Sequence, residues 1–492
     1  MKIKSIALKC IFASAVIALS VTGCKKDGFQ GGAAKSGSFN RSGRAFQDNR
    51  DVPNTTQVIP NVISVNTTLD ASKLWILDGP TYVTNGATLT IEPGTFIKGL
   101  KRSNTTLQQP SFLLVSKGSR IIADGTVEEP IVFTSQESVN NRRAGDWGGV
   151  VILGNGMTNV GLREIEGISP AYVTSAGLPY PSTIQYGTNI SEEDAASAST
   201  LRYVRIEYAG AVLTDDNELN GLTLGGVGSA STLDYVQVSY GADDGFEFFG
   251  GSVNAKHLIA IGNNDDDFDF DQGYQGTIQF AVSLKDPSVI TVPPATLYSS
   301  NPNGIECNNI TSPVTTINSR MTSPVLTNLT ILGHGSNQGP ITGSTAGRGV
   351  LFRVNSNFTL VNSITGGFNI GSEVISGASA VGPTANNVIQ AYSALGPLGT
   401  GLASTASANA YLLLAAPFDI AFTGTTLIPD FRHTASSPAA TGASFIGLSI
   451  PHPGGAVTLL TPTTYRGAFD NDTKASWDEV WASYNVNANP YL

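Results

Sequence analysis

An all-β solenoid is the fold class this sequence predicts, and three observations predict it. The first is a recurring motif: Asp243-Asp244-Gly245-Phe246-Glu247-Phe248 returns 22 residues later as Asp265-Asp266-Asp267-Phe268-Asp269-Phe270. Looser copies are Gly148-Gly149-Val150-Val151-Ile152, Asn220-Gly221-Leu222-Thr223-Leu224, Asn303-Gly304-Ile305-Glu306-Cys307 and Arg348-Gly349-Val350-Leu351-Phe352. The second is the period of two within each copy, which belongs to a strand and not to a helix. The third is composition, with 54 Gly and only 13% charged residues, which suits many turns and few amphipathic helices. Units recurring at roughly 20–50 residues cannot bury their own apolar faces and must stack on neighbours.

Residues 1–24 open with Lys2, Lys4 and Lys9, run apolar from Ile11 to Leu19, and end in Ser20-Val21-Thr22-Gly23-Cys24. Such a run is too short to span a membrane permanently and reads as an export signal. Its end resembles a bacterial lipobox, which implies cleavage of residues 1–23 and lipidation of Cys24, a stable anchor once several acyl chains are attached. By the same resemblance to lipoproteins, Lys25 in place of an Asp after the Cys implies no retention in the inner membrane, and Cys24-Lys25-Lys26-Asp27-Gly28 resembles the start of surface lipoproteins of the Bacteroidetes. Residues 24–60 are polar and aperiodic and read as a tether, which at about 5–6 Å times the square root of its length reaches roughly 30–35 Å.

Strands begin near Val62, and residues 61–470 are expected to form the solenoid. Tyr82 to Thr95 gives strand, Asn-Gly turn, strand, Pro-Gly turn. Residues 87–95 (ATLTIEPGT), 120–135 (RIIADGTVEEPIVFTS), 145–154 (GDWGGVVILG), 201–210 (LRYVRIEYAG), 218–228 (ELNGLTLGGVG) and 243–251 (DDGFEFFGG) carry a more specific signal. Their order and wording resemble Bacteroidetes envelope lipoproteins of the right-handed parallel β-helix, pectin-lyase-like type. The resemblance covers about residues 62–370 and the C-terminus. It implies the fold and an envelope location, and no catalytic residues.

Segments 165–199 and 288–301 read as loops leaving the solenoid, 371–410 as an irregular insertion with a short helix. At the end, Asp472 or Thr473 is placed to cap a helix carrying Trp477, Val480 and Trp481 on one face, and residues 471–492 are expected to cover the last open coil.

Alternation turns Leu222, Phe246, Phe268 and Ile305 inward and Thr223, Glu247, Asp269 and Glu306 outward, as an exposed acidic ladder. Parallel strands stack at about 4.8 Å, and carboxylates about 5 Å apart repel by roughly 3 kcal/mol at an effective dielectric of 20. Solvent, a cation or a ligand must relieve that. Asp243, Asp244, Glu247, Asp265, Asp266 and Asp269 are therefore candidate ligands for a hard cation, calcium first, with Glu306, Asn220, Asn303 and Arg348 as candidate contacts for a bound polymer. The competing reading is that the paired acids make turns at coil corners beside a solvated face. Asp265, Asp267, Asp269 and Asp271 alternate but lack the Gly and terminal Glu of an EF-hand loop.

Two enzyme classes are compatible with the suspected fold. Asp243-Asp244 and Gly333-His334-Gly335 resemble polygalacturonase motifs, but their separation is wrong for that family, and no Asn-x-Asp or Arg-x-Lys accompanies them. A calcium-dependent lyase needs a basic residue near the ion, for which Arg348, Lys256 and Lys285 are nominal candidates. The charge of −10 argues against nucleic acid. Cys10 lies in the leader and Cys24 is the expected lipid attachment, leaving Cys307 as the one thiol of the body, so no disulfide framework forms. The expected role is binding of a polysaccharide or another surface polymer, with calcium assisting. The alternatives are a lyase or hydrolase and a purely structural or adhesive protein.

Overall fold

The computed structural model describes residues 50, 52–102, 109–188, 198–214, 217–286, 302–310, 318–333, 347–420, 428–452 and 460–491. The expected signal peptide, Cys24, most of the tether, His334 and the 288–301 loop lie outside them. Among the described residues twenty-six strands join in one sheet, wound as a right-handed parallel β-helix with three stacks of strands.

The first stack begins with Thr56–Val58, Leu74–Leu77, Phe96–Gly99 and Ile131–Ser135. The second holds the recurring motif: Pro80–Val83, Phe112–Val115, Gly149–Leu153, Leu222–Gly225, Phe246–Phe249, Phe268–Asp271, Ile305–Cys307 and Arg348–Phe352. The third begins with Thr67–Leu69, Thr88–Ile91 and Arg120–Asp124. From Thr200 on, single strands such as Thr232–Ser239 and Ala255–Ile261 serve the third stack with their first half and the first stack with their second.

The bend inside each long strand falls on one residue with positive φ: Tyr203 (51°), Tyr235 (55°), His257 (52°), Phe280 (61°) and Asn328 (56°). That conformation costs a non-glycine residue roughly 1–2 kcal/mol. Stacking offsets it, because Tyr203, Tyr235, His257 and Phe280 lie ring on ring at 4.5, 4.2 and 5.3 Å, a geometry favourable to aromatic pairs.

Inside the coils the expected inward residues Leu222, Phe246, Phe268 and Ile305 are buried in one continuous core, and Cys307 with them. Phe246 stacks on Phe268 at 5.1 Å and Phe248 on Phe270 at 5.0 Å.

Three boundaries differ from expectation. The helix begins inside the expected tether, since Thr56–Val58 already pairs in parallel with Leu74–Ile76. Residues 371–410 are no irregular insertion, since Val388–Ala394 pairs with the Ile364–Val374 strand and Thr400–Ala403 pairs with it in turn, although the short helix expected there is present at Ala408–Leu412. In Val388–Ala394 the apolar residues do not alternate with polar ones, and Thr400–Ala403 is short and exposed. Parallel strand-to-strand pairing among the described residues ends at Ala403, short of 470; beyond it Leu414–Ala416 pairs antiparallel with Asp430–His433, and His433 makes one isolated parallel bridge to Asn471.

The expected C-terminal helix is absent among the described residues, where 471–491 form turns and one 3-10 turn at Val486–Ala488. Residues 460–491 form a strap along the flank, which from Gly467 on runs from late coils to early ones. Thr461 meets Gln279, Gly467 N–H donates to Asn362 O at 2.7 Å, Ser483 meets Gln237, and Lys98 Nζ donates to Tyr491 O at 2.7 Å. Trp477 and Trp481 cover the aromatic corner column, Trp481 lying 5.9 Å from Tyr235 and Trp477 5.1 Å from His257. Partners spaced coil by coil along the solenoid call for an extended strap, and a helix advancing only about 1.5 Å per residue would leave most of them uncovered.

Candidate metal centre

The second stack sets Thr223, Glu247, Asp269 and Glu306 in one outward column. They are not an exposed ladder. Thr223 is 1% exposed, Glu247 5% and Glu306 6%, and Asp269 is half-buried. Residues 155–188 fold back beside them: Tyr186 stacks at 6.0 Å on Phe249, its hydroxyl donates to Gln272 Oε1 at 2.7 Å, and Asn159 N–H donates to Gln272 O at 3.0 Å.

The six predicted acids come together, and Glu306 joins them. Three triads overlap, Asp243-Asp244-Asp265, Asp244-Glu247-Asp269 and Asp266-Asp269-Glu306, each with one ligand atom per residue within 4.8 Å of the others. Burial first, then the charge of neighbouring carboxylates, holds the carboxyls of Asp243, Asp244, Glu247, Asp266 and Asp269 well above the usual range. Asp271, on the same strand as Asp269, is pushed to about 7, mainly by burial. At neutral pH such a set is neutralised by protons or by a cation.

Part of the turn reading is also present. Asn220 Oδ1 accepts the N–H of Asp244 at 3.2 Å, Asp244 Oδ1 that of Asp266 at 2.8 Å, Asp266 Oδ1 that of Asn303 at 2.5 Å, and Asn303 Oδ1 that of Arg348 at 2.9 Å. One side-chain oxygen per coil is thus spent on the next coil's backbone. Asn220 Nδ2 donates to Glu247 at 2.9 Å and Asn303 Nδ2 to Glu306 at 3.2 Å. Both amides are therefore committed within the protein instead of presented to a polymer.

The basic residues near the acids are engaged as well. Arg348 is ion-paired with Glu373 and Arg353 with Glu306. Lys285, fully buried, lies 3.3 Å from Asp267 and donates to the carbonyls of Asn263 and Asp265. Lys256 lies on another stack and donates to Thr461 Oγ1 at 3.1 Å. Sequence reasoning missed the Lys285–Asp267 and Arg353–Glu306 pairs because their members meet only after the chain has gone once round. Glu166 and Glu218, whose charges bear on Asp243, arrive from excursions with no repeating pattern to announce them.

Two polar atoms bear on whether a cation fits. Asp269 Oδ1 and Thr223 Oγ1 are buried without a hydrogen-bond partner, and each stands next to Glu247 in the column. Carboxylate and hydroxyl oxygens are hard donors, suited to calcium rather than to softer metals.

The molecule is thus a right-handed parallel β-helix with a buried carboxylate cluster on one outward face. It belongs to the pectate-lyase-like β-helix domain family, whose model matches residues 61–395. No curated protein matches the chain in sequence. Among solved structures it is similar to pectate lyase Pel9A, at 13% identity over 85% of this chain and 86% of that one with a TM-score of 0.38. It is also similar to the enzymatically active domain of tailspike protein 2 of bacteriophage CBA120, at 13% identity over 66% of this chain and 39% of that one with a TM-score of 0.27.

Proposed function

We propose that this protein is a lipid-anchored component of a bacterial outer membrane that binds a polysaccharide or another surface polymer without cleaving it, with calcium held at the acidic face. The carrying observation is the cluster itself: seven carboxylates in three interlocking triads, with raised proton affinity at five of them and Arg353 paired with only Glu306. Calcium takes six to eight oxygens, and this face offers oxygens from successive coils. The non-catalytic part of the reading is supported by the engagement of Lys285, Arg348 and Arg353, since a lyase needs a basic side chain at liberty to take a sugar-ring proton. Membership of the pectate-lyase-like family supports a polysaccharide as the ligand class. The sequence of residues 1–24 supports the anchor.

A glycan array probed with millimolar calcium and again with chelator tests the binding, and assays for unsaturated or reducing ends test the absence of cleavage. Calcium-dependent capture with no new ends is the expected result. New ends would make the protein a lyase or hydrolase, and no capture in either condition would leave a structural role.

A further inference from the structure

A cleft lies on the same outward column, nearer the start of the helix. Counting coils back from Thr223, the register runs through Val151 and Leu114 to Tyr82, three steps of about 4.8 Å. There a half-open cleft of about 220 Å³ is lined by Tyr82, Gln109, Arg102, Tyr172, Pro80 and Asn61. Two of the lining residues carry a buried polar atom with no partner among the described residues, Tyr82 Oη and Gln109 Oε1. Tyr82 is 0% exposed, its ring held edge-on against Phe112 at 5.7 Å and its backbone N–H bonded to Asn61 O at 2.8 Å. The phenol is thus fixed in place as a donor that no described residue receives. Buried polar atoms in folded proteins nearly always have partners, so a lone donor and a lone acceptor in one cleft point to a ligand carrying both functions.

The rest of the lining narrows the class. Arg102 is already neutralised by Asp78, with Nε 3.0 Å from Oδ1, so the cleft adds no net charge to attract an acid. Tyr172 and Pro80 supply apolar surface beside the polar atoms. A cleft below the roughly 300 Å³ at which drug-sized pockets begin takes one small ring. We propose that this cleft binds a single neutral sugar residue, Tyr82 Oη donating to one hydroxyl and Gln109 Oε1 accepting from another, as a subsite separate from the acidic cluster. The class of ligand rests on the polysaccharide reading above, whereas the site itself does not depend on the cation.

The test uses the full chain with glucose, galactose, mannose, N-acetylglucosamine and their tetrasaccharides as probes, followed by saturation-transfer NMR and calorimetry with and without chelator. At least one probe should bind wild type with an affinity unchanged by chelator, and Tyr82→Phe should weaken it by tenfold or more. The same variant should melt at or above the wild-type temperature, because the lost hydroxyl had no internal partner. Equal binding by wild type and Y82F would overturn the subsite and leave the polymer-binding reading standing. No binding by any probe would count against both, and a lower melting temperature in Y82F would show that the hydroxyl is already satisfied within the protein.

Discussion

Glu247 and Asp269 stand one coil apart with their carboxyls raised by burial and by each other. A carboxyl whose folded pKa lies above its unfolded value carries an extra proton in the native state between the two. Unfolding then releases protons, and the contribution to stability falls as pH rises through that window. In chelator, therefore, wild type should lose stability between about pH 4, the unfolded carboxylate value, and the raised values, which for Asp271 reach about 7. Glu247→Gln and Asp269→Asn remove one charge each and should stabilise the calcium-free protein at pH 8 by about 1–3 kcal/mol. Both should abolish the rise in melting temperature that millimolar calcium gives wild type. Thermal melts across pH with and without calcium check this, and variants less stable than wild type at pH 8 in chelator would refute the repulsion. At this scale the alternation of Phe246, Glu247 and Phe248 was legible, because a strand's side chains must point alternately to either side. The burial of Glu247 was not, since what covers it comes from residues far along the chain such as Tyr186.

Among the elements, the strap is the clearest departure from the sequence pattern. Trp477, Val480 and Trp481 fit a helical face, yet these residues form turns, with Trp477 flat on Phe469 at 4.8 Å. Outward amides of the coils take the place of strand partners: Gln237 Oε1 accepts from Ser483 N–H at 2.9 Å, Gln279 Oε1 from Thr461 N–H at 2.9 Å, and Asn362 Oδ1 from Ser444 N–H at 2.8 Å. Local periodicity cannot reveal a binding surface made by one residue per coil. Trp481 is fully buried, and Trp481→Ala should cost about 3–5 kcal/mol, as read by urea denaturation. A cost below 1 kcal/mol would mean that the strap is dispensable. The inward ladder of Phe246 and Phe268 was readable from the motif alone, because stacking identical units superimposes identical residues. The strands in 388–403 were not, because the apolar Val388, Ile389, Ala391 and Tyr392 do not alternate with polar residues and Thr400–Ala403 is short and exposed.

Over the whole molecule, the strap ties late coils to early ones, ending where Tyr491 packs 5.5 Å from Phe96. Lys98, which donates to Tyr491 O, is pushed down to about 8, chiefly by burial. The proposed anchor at Cys24 is tested in cells: Cys24→Ser should move the protein out of the membrane fraction and stop its labelling by fatty acid, and retention with label would disprove the lipid site. Coil stacking was legible because its period is written in the sequence, while the convergence of three triads required knowing the register of every coil. The central claim is that cations replace protons among those carboxylates, and calorimetric titration of calcium into the chelator-treated full chain at pH 7, in two buffers of different ionisation enthalpy, tests it most directly. Saturable binding with release of protons to the buffer is the predicted result. No binding heat in either buffer, with no proton exchanged, would contradict it.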